Sequence, residues 1–397
     1  MRSLRDITID DLLIECVERN GSDLHVTVGL PPTIRVDGEL EGLEYEACTD
    51  YDTQRLIYDA LQDREIEQFE ETRELDFSYG VKGVSRFRFN VYRQRGSVGA
   101  AMRTISDRVP TMEEMGLPHI DVLKQFCGLP RGLVLVTGPT GSGKSTTLAT
   151  MINHINQTRN VHVMTIENPI EFMHQHRKAM INQRELGKDT YTYTNALRSV
   201  LREDPDIVLI GEMRDMETIQ ATLEVAETGH LVFSTLHTNS APATIDRIID
   251  VFPPNQQEQV RVQLAGSIQG VLSQQLIPLA TGPGRTAVCE LMIANDAIRA
   301  LVRDGKTFQI SQVMELSRRE GMETMDDALA NLVAQGQIMR DDALRKAVNK
   351  DNLVRILGGQ GRPQGQQGYG QQPQGYQQPN YQQQQPPQPA GQSGGYQ

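Results

Sequence analysis

The sequence predicts an α/β protein with two folded domains and a separate C-terminal tail. The chain has 397 residues, which is more than one ordinary hydrophobic core accommodates. From about residue 119, short apolar segments alternate with longer helical segments, a pattern typical of a parallel sheet covered by helices. Residues 86–91 instead alternate strictly between polar and apolar side chains, as in a half-buried strand. We therefore expect a small N-terminal α+β domain followed by a larger α/β domain.

The first domain is predicted to span residues 1–105. An apolar stripe at helical spacing covers residues 11–19, and short apolar runs separated by turn residues follow it. The predicted strands are residues 24–28, 33–36, 77–79, 85–91 and 98–104.

The alternating segment at residues 86–91 orients its side chains in a predictable way. Its two phenylalanines share one face, while Arg86 and Arg88 share the other. By the same parity Arg93 would fall on the apolar face. The strand is therefore predicted to end or bend before Arg93.

The second domain is predicted to span residues 119–357, after a linker at residues 106–118 that contains Pro110 and Pro118. Its C-terminal part, about residues 295–356, has an amphipathic helical pattern interrupted by glycines. The predicted strands are residues 133–136, 161–166, 207–210, 231–235 and 287–291.

The last segment, residues 358–397, has a different composition from the rest. It contains 16 Gln, 10 Gly, 6 Pro and 4 Tyr, and no acidic residue. Such a segment buries too little apolar surface to offset the loss of chain entropy, so it is predicted to be disordered. The composition fits either a weakly self-associating tether or an inert tail.

The charge and the apolar pattern exclude several classes of protein. The formal net charge of −12 argues against a general nucleic-acid binder, which needs a basic surface. The chain has no secretory signal pattern, and no run approaches the roughly 18 apolar residues of a membrane span. The four cysteines form no C-x-x-C pair, so neither a zinc site nor a disulfide framework is indicated. We expect a soluble cytoplasmic protein that reaches a membrane only through a partner.

A phosphate-binding loop is the most specific motif in the chain. Residues 138–145 match G-x-x-x-x-G-K-S, between an apolar strand and a helix at residues 146–155. The glycines allow backbone N–H groups to surround the phosphates. Lys144 is expected to reach the β- and γ-phosphates of ATP, and the Ser145 hydroxyl to bind Mg²⁺. The predicted nucleotide-binding residues are Gly138, Pro139, Thr140, Gly141, Ser142, Gly143, Lys144, Ser145 and Thr146.

Acidic residues follow two of the predicted core strands. Glu212 comes just after the strand at residues 207–210, where ligands of α/β proteins bind. It would hold Mg²⁺ through water or polarise the attacking water. Glu167 and Glu171 follow the strand at 161–166 and are candidates for orienting the nucleophile of phosphoryl transfer. Plain surface acids at strand ends are the alternative interpretation.

Two histidines flank another predicted core strand. His230 precedes the strand at residues 231–235, and His237 follows it. A histidine at the end of a core strand can sense a γ-phosphate. A purely structural histidine is the alternative, although two of them beside a phosphate-binding loop favour a functional role.

Together, these elements resemble the secretion-type hexameric ATPases, and within them the type IV pilus retraction ATPase (PilT) family. The resemblance covers about residues 5–357 and rests on many independent motifs. The matching segments are residues 22–25, 30–32, 35–38, 132–149, 181–185, 196–198, 201–206, 211–215, 226–230 and 245–253.

The resemblance implies a PAS-like N-terminal domain and a RecA-like ATPase domain, assembled as a homohexameric ring with ATP bound between the domains. Glu171 matches the catalytic glutamate of the family and Glu212 its Walker B glutamate. His230 and His237 fall in its histidine box. The candidates for the arginine fingers of the family are Arg86, Arg88, Arg93 and Arg103.

One position departs from the family pattern. The acidic box of the family usually reads Glu-Asp-Pro-Ile-Glu, whereas this chain has Asn168 after Glu167. The substitution removes a charge near the expected metal. Because Glu167 and Glu171 are both retained, activity is expected to survive.

The resemblance also indicates pilus retraction rather than pilus assembly. Related assembly ATPases usually carry a four-cysteine zinc insertion, which is missing from this sequence, and residues 297–303 resemble a helix of the retraction family. Arg299 and Arg303 are four residues apart and share one helix face, either to meet a neighbour or simply as a solvated charged face. The residues assigned to this helix are Ala297, Ile298, Arg299, Leu301 and Arg303.

Several alternatives and partners accompany this interpretation. An accessory subunit of the PilU type, or an assembly or type II secretion ATPase, is the alternative function. A RecA-like nucleic-acid motor is disfavoured by the net charge. The implied partners are further copies of this chain, the inner-membrane platform protein of the pilus and a paralogous retraction ATPase. Neither nucleic-acid binding nor direct membrane insertion is expected.

Overall fold

The computed structural model of the chain describes residues 2–36, 38–105 and 108–359. Within these ranges the protein has an α/β fold with two sheets, as the sequence predicts. Most of the predicted tail lies outside the described residues. In the described ranges, no helix combines the length and the apolar character needed to cross a bilayer.

The first domain contains a six-stranded sheet in the order β3-β2-β1-β6-β5-β4. All neighbouring strands are antiparallel. The strands are β1 (Asp23–Val26), β2 (Thr33–Val36), β3 (Glu39–Gly42), β4 (Glu74–Val81), β5 (Ser85–Gln94) and β6 (Ser97–Ile105). The helices of the domain are α1 (Ile9–Glu18), α2 (Asp50–Tyr58) and α3 (Asp63–Thr72).

The predicted alternation along β5 is confirmed. Phe87 and Phe89 are 0% exposed and belong to the core of the domain, while Arg88 on the opposite face is exposed. The strand does not end before Arg93, however, and that prediction was wrong. The Arg93 guanidinium lies 5.7 Å from the centroid of the Phe69 ring and 2.6 Å from Glu70, so α3 supplies it with an aromatic face and a counter-ion.

The second domain contains a seven-stranded sheet in the order β13-β12-β7-β11-β10-β8-β9. Neighbouring strands are parallel except for the antiparallel edge strand β13. The carboxyl ends of the parallel strands therefore meet at one edge of the sheet. The strands are β7 (Gly132–Thr137), β8 (His162–Glu167), β9 (Met180–Glu185), β10 (Ile207–Ile210), β11 (Leu231–Leu236), β12 (Ile268–Pro278) and β13 (Arg285–Ile293).

Helices cover both faces of this sheet and form separate apolar cores with it. The C-terminal helices add a smaller core of their own. The last helix ends at Gly359, two residues inside the segment predicted as tail. The helices are α4 (Ile120–Gly128), α5 (Lys144–Thr158), α6 (Tyr193–Val200), α7 (Met216–Glu227), α8 (Ala241–Asp250), α9 (Pro254–Ser267), α10 (Asp296–Arg303), α11 (Ile310–Leu316), α12 (Met325–Ala334), α13 (Arg340–Lys346) and α14 (Lys350–Gly359).

Two strands of this sheet were missed by the sequence analysis, because both carry polar side chains. β9 is an edge strand with alternating polar residues. β12 is buried, yet it contains Ser273, Gln274 and Gln275 in its middle. Each of these side chains has a hydrogen-bond partner, which allows polar residues inside the sheet.

Candidate active site

The phosphate-binding loop connects β7, which is buried along its whole length, to the N-terminus of α5. Gly143 has φ +87° at the N-cap of α5, a left-handed conformation that favours glycine. At Gly138, with φ +142°, an added Cβ would lie 2.1 Å from the carbonyl oxygen of Gln274. Side chains are therefore excluded at the points where the loop turns and packs against β12.

Lys144 is the first residue of α5, and its ammonium group turns back into the loop. Its Nζ donates to the carbonyl oxygens of Gly138 at 2.8 Å and Pro139 at 3.1 Å. Burial lowers the pKa of Lys144, while the negative charges of Glu212 and Glu171 act in the opposite direction. The ammonium group thus lies in the loop, within the field of both predicted catalytic acids.

A second feature of the loop fits an anionic ligand. The Ser142 Oγ is buried, and among the described residues it has no hydrogen-bond partner. A buried hydroxyl without a hydrogen bond is unfavourable unless a ligand or a water molecule forms that bond. Together with the ammonium group of Lys144, it makes the loop suitable for a phosphate group.

Gln274 on β12 holds this loop in place through two hydrogen bonds. Its Nε2 donates to the carbonyl oxygen of Ser142 at 2.7 Å, and its Oε1 accepts from the Thr147 hydroxyl at 2.8 Å. The same side chain therefore connects the loop to the first turn of α5. Gln274 was not singled out from the sequence, because it lies 127 residues from Thr147.

Glu212 lies just beyond the carboxyl end of β10, beside the loop that follows β11. Its Oε2 is 2.7 Å from Arg214 Nη2, and its Oε1 is 3.0 Å from His237 Nε2. The hydrogen bond to Glu212 raises the pKa of Arg214. Both oxygens of the carboxylate are therefore oriented, and the side chain remains 18% exposed at the strand edge. Arg214 is a site residue that the sequence analysis did not assign, although it lies in a matching segment.

Glu167 and Glu171 have different environments. Glu167 ends β8 and accepts from the Thr165 hydroxyl at 2.6 Å and from Gln183 Nε2 at 3.2 Å. Burial raises the pKa of Glu167 to about 7. Glu171 is exposed at the same edge, and its charge acts on both Lys144 and Glu167. Asn168 between them is also exposed.

The two histidines lie at opposite ends of β11. His237 contacts Glu212, whereas His230 precedes the strand and interacts through Nδ1 with the carbonyl oxygen of Val225 at 3.1 Å. The His230 carbonyl also accepts from the N–H of Gly132 at the start of β7. A strand of six residues, about 20 Å long, separates the two histidines. Within this chain, His230 is therefore not part of the cluster around Glu212.

The four arginine-finger candidates lie on β5 and β6, and each of them pairs with an acidic residue. Arg88 and Arg103 face each other across β5 and β6. Within the described residues, no hydrogen bond of these four side chains reaches the phosphate-binding loop. The acidic partners are Glu185 for Arg86, Asp76 for Arg88, Glu70 for Arg93 and Asp23 for Arg103.

The predicted retraction helix corresponds to α10. Ile298 is 0% exposed, and Leu301 packs partly buried against the same core. Arg299 is partly buried and bonds within the chain. Its Nη1 donates to the carbonyl oxygen of Ala265 at 2.7 Å, at the C-terminal end of α9, and burial lowers its pKa. Of the pair, only Arg303 is exposed. Ala297, in the first turn of the helix, is exposed as well.

The arrangement at this edge can bind a nucleoside triphosphate and activate water. It combines a cationic loop for phosphates, a hydroxyl and a carboxylate for a hard divalent cation, and two acids, Glu171 and Glu212, whose charges act on the Lys144 ammonium group. These groups come from β7, β8, β10 and β11, whose carboxyl ends are neighbours in the sheet.

Comparisons with known proteins agree with this geometry. Residues 98–282 match the family model described as Type II/IV secretion system protein. The chain is 49% identical over 345 residues to the type IV pilus retraction ATPase PilT of Pseudomonas aeruginosa, covering 87% of this chain and 99% of that protein. It is 38% identical over 344 residues to the type IV pilus ATPase PilU of the same species, covering 87% and 90%. A crystal structure of the pilus retraction motor PilT with bound ADP superimposes with a TM-score of 0.82 at 46% identity, covering 88% of this chain and 100% of that one.

Proposed function

The chain belongs to the family of type IV pilus retraction ATPases, and we propose that it is the ATP-hydrolysing motor that drives pilus retraction and twitching motility. The observation that carries this proposal is a complete phosphate-binding site in a chain that aligns with 99% of a retraction ATPase at 49% identity. In the reaction, water attacks the γ-phosphorus of ATP, the bond to ADP breaks, and inorganic phosphate leaves.

Each residue at the sheet edge has a role in this proposal. On ATP binding, the ammonium group of Lys144 exchanges the loop carbonyls for phosphate oxygens, since these are stronger acceptors. Glu171 orients the attacking water. Glu212, whose carboxylate is fixed by Arg214 and His237, acts on the same water or on the metal's water shell.

Mg²⁺ is the cofactor that this set of donors fits. Hard cations prefer oxygen ligands and retain several water molecules. The hydroxyl of Ser145 and the carboxylate of Glu212 are oxygen donors of this kind. The metal would neutralise charge on the phosphates, while the residues of this chain bind the nucleotide and orient the water.

We further propose that the motor works as a homohexamer. In one chain, the four candidate arginines are paired with acids and do not contact the loop. Arg103 and Arg88 are the most exposed of them, with 72% and 51% of their side chains accessible, which favours these two for contact with a nucleotide at a domain interface of the ring. A membrane platform protein of the pilus would connect the ring to the membrane.

The alternative is an accessory ATPase of the PilU type. Its support is the 38% identity to PilU over a similar length. The intact loop and the oriented Glu212 argue for a motor that is active without a partner ATPase. The purified chain alone should then hydrolyse ATP, whereas an accessory subunit would need its partner.

The direct test of retraction is a deletion strain scored for surface pili by electron microscopy. A retraction motor predicts excess pili that do not support twitching motility. Cells without pili would instead indicate an assembly ATPase. Normal pili and normal motility would overturn the proposal.

A further inference from the structure

Glu185 is a buried carboxylate that the mechanism above does not use. It ends β9, at the same edge of the sheet as Glu167 and Glu212, and is 3% exposed. A carboxylate in such a position is unfavourable unless cations and hydrogen-bond donors surround it. The groups that surround it come from both domains.

On the side of the second domain, Glu185 holds the segment that carries Glu171. Its Oε2 accepts from the backbone N–H of Ile170 at 3.1 Å. Ile170 is itself 3% exposed, so its position is fixed by packing as well as by this bond. Glu171 is the next residue and is exposed. A displacement of the Glu185 carboxylate would therefore be transmitted to Glu171 through one peptide unit.

On the side of the first domain, the same carboxylate binds two strands. Its Oε2 is 2.6 Å from Arg86 Nη2 on β5, and its Oε1 accepts a hydrogen bond from the Ser78 hydroxyl on β4. Arg86 also donates to the Ser78 hydroxyl at 2.6 Å. Lys188 is the last member of the cluster. Its Nζ lies 3.7 Å from Glu185 Oε1 and donates a hydrogen bond to the carbonyl oxygen of Ser78.

Oxygen Oε2 is thus shared between the first domain and the backbone beside Glu171. A rigid planar carboxylate cannot follow Arg86 without changing its bond to Ile170. The bond to Ile170 helps to stabilise the buried carboxylate, and it also fixes the segment beside Glu171 relative to Arg86. The preceding residue, Arg184, instead pairs with Glu203 at 3.0 Å, and both of these residues belong to the second domain.

We propose that Glu185 is a positioning residue that couples the placement of the first domain to the placement of Glu171. The inference rests on the proposed ATPase function. It assigns a role to the segment at residues 181–185, which matches the family pattern and has no role in the ATPase site proposed above. When the first domain is docked as in this structure, Glu185 fixes Glu171 in one position. A movement of the first domain would release Glu171 or shift its position.

The test compares steady-state ATP hydrolysis by the full-length chain and by Glu185→Gln. The amide keeps the shape of the side chain and one acceptor oxygen but loses the charge that binds Arg86. The expected result is a fall in kcat of about tenfold or more, with KM for ATP changed by less than about threefold, because the phosphate-binding loop is untouched. Glu203→Gln is the matched control, and its kcat should stay within about twofold of the unmodified chain.

A second variant separates coupling from local damage. Ser78→Ala removes only a hydroxyl in the first domain and should lower kcat in the same direction. In the Glu185→Gln background it should have little further effect, since both changes break one connection. Additive effects, or an unchanged kcat in both single variants, would overturn the inference.

Absence of ATP hydrolysis by the unmodified chain would instead refute the proposed function, so the two failures are distinguishable. If Glu185→Gln does not fold, the kcat of Ser78→Ala alone decides.

Discussion

His237 Nε2 lies 3.0 Å from Glu212 Oε1, so the residue after β11 orients the carboxylate that follows β10. Arg214 binds the other oxygen of that carboxylate at 2.7 Å. Glu212→Gln should therefore keep nucleotide binding but lower kcat by about 100-fold or more, because the negative charge is lost while the fold is retained. Titration with a fluorescent ATP analogue and steady-state kinetics test this pair of expectations. His237→Ala should have a smaller effect, since Arg214 still holds one oxygen, and an unaffected Glu212→Gln variant would remove this acid from the mechanism.

Lys144→Ala should abolish both nucleotide binding and hydrolysis. The ammonium group is the positive charge nearest the loop carbonyls, and its removal leaves the phosphate charge unmet. Isothermal titration with ATP and Mg²⁺ measures the loss. Lys124→Ala is a suitable control, because Lys124 lies on α4 and pairs with Glu113 at 2.7 Å, away from the loop. Equal losses in both variants would indicate general damage rather than a lost phosphate contact.

Glu167 should make the protein less stable as the pH rises. Burial raises its pKa from 4.5 to about 7, so between these values the folded chain binds more protons than the unfolded chain. The free energy of unfolding therefore falls as the pH increases through this window. In Glu167→Gln this contribution is absent. Between pH 5 and pH 8, the melting temperature of the variant relative to that of the unmodified chain should therefore rise by several degrees. This corresponds to a relative gain of about 1–3 kcal/mol in the free energy of unfolding. A difference independent of pH would show that Glu167 titrates normally.

The two arginines of α10 should have different roles, Arg299 in the stability of the fold and Arg303 at an exposed surface. Arg299→Ala leaves the carbonyl oxygen of Ala265 without its donor and should cost about 1–3 kcal/mol of stability. Arg303→Ala should change stability by less than about 0.5 kcal/mol, because the side chain is exposed. Thermal melts of the two single variants measure this difference in stability. In cells, Arg303→Ala should keep ATP hydrolysis yet impair twitching, and normal motility would refute its role at an interface.

Truncation after Gly359 should leave the melting temperature and ATP hydrolysis unchanged. The removed segment is rich in Gln, Gly and Pro and contains almost no apolar side chains that add to a core. Cutting at Gly359 rather than at Leu357 retains the end of α14. A fall of more than a few degrees would show that the tail contributes to folding. Any effect is expected in partner binding or localisation instead.

The features that the sequence predicted are those encoded locally. The glycine spacing of residues 138–145, the apolar strand before it and the acids just after strands all depend on neighbouring residues, and the structure contains the corresponding elements. Arg93 was misjudged because its partners lie on α3, outside the local pattern. Gln274 was missed because its partner is 127 residues away. The contact between Ser78 and Glu185 spans 107 residues and two domains. Polar residues that meet only after folding have no signature in a single sequence.

Retraction driven by ATP hydrolysis is tested most directly by imaging labelled pili in living cells whose only copy of this chain carries Glu171→Gln. The variant should bind ATP and assemble normally but hydrolyse almost none, because the carboxylate that orients water is gone. Pili should extend at the usual frequency and then fail to retract, while cells with the unmodified chain retract them. Pili that retract normally in the variant, or cells that never extend a pilus, would contradict the proposed mechanism.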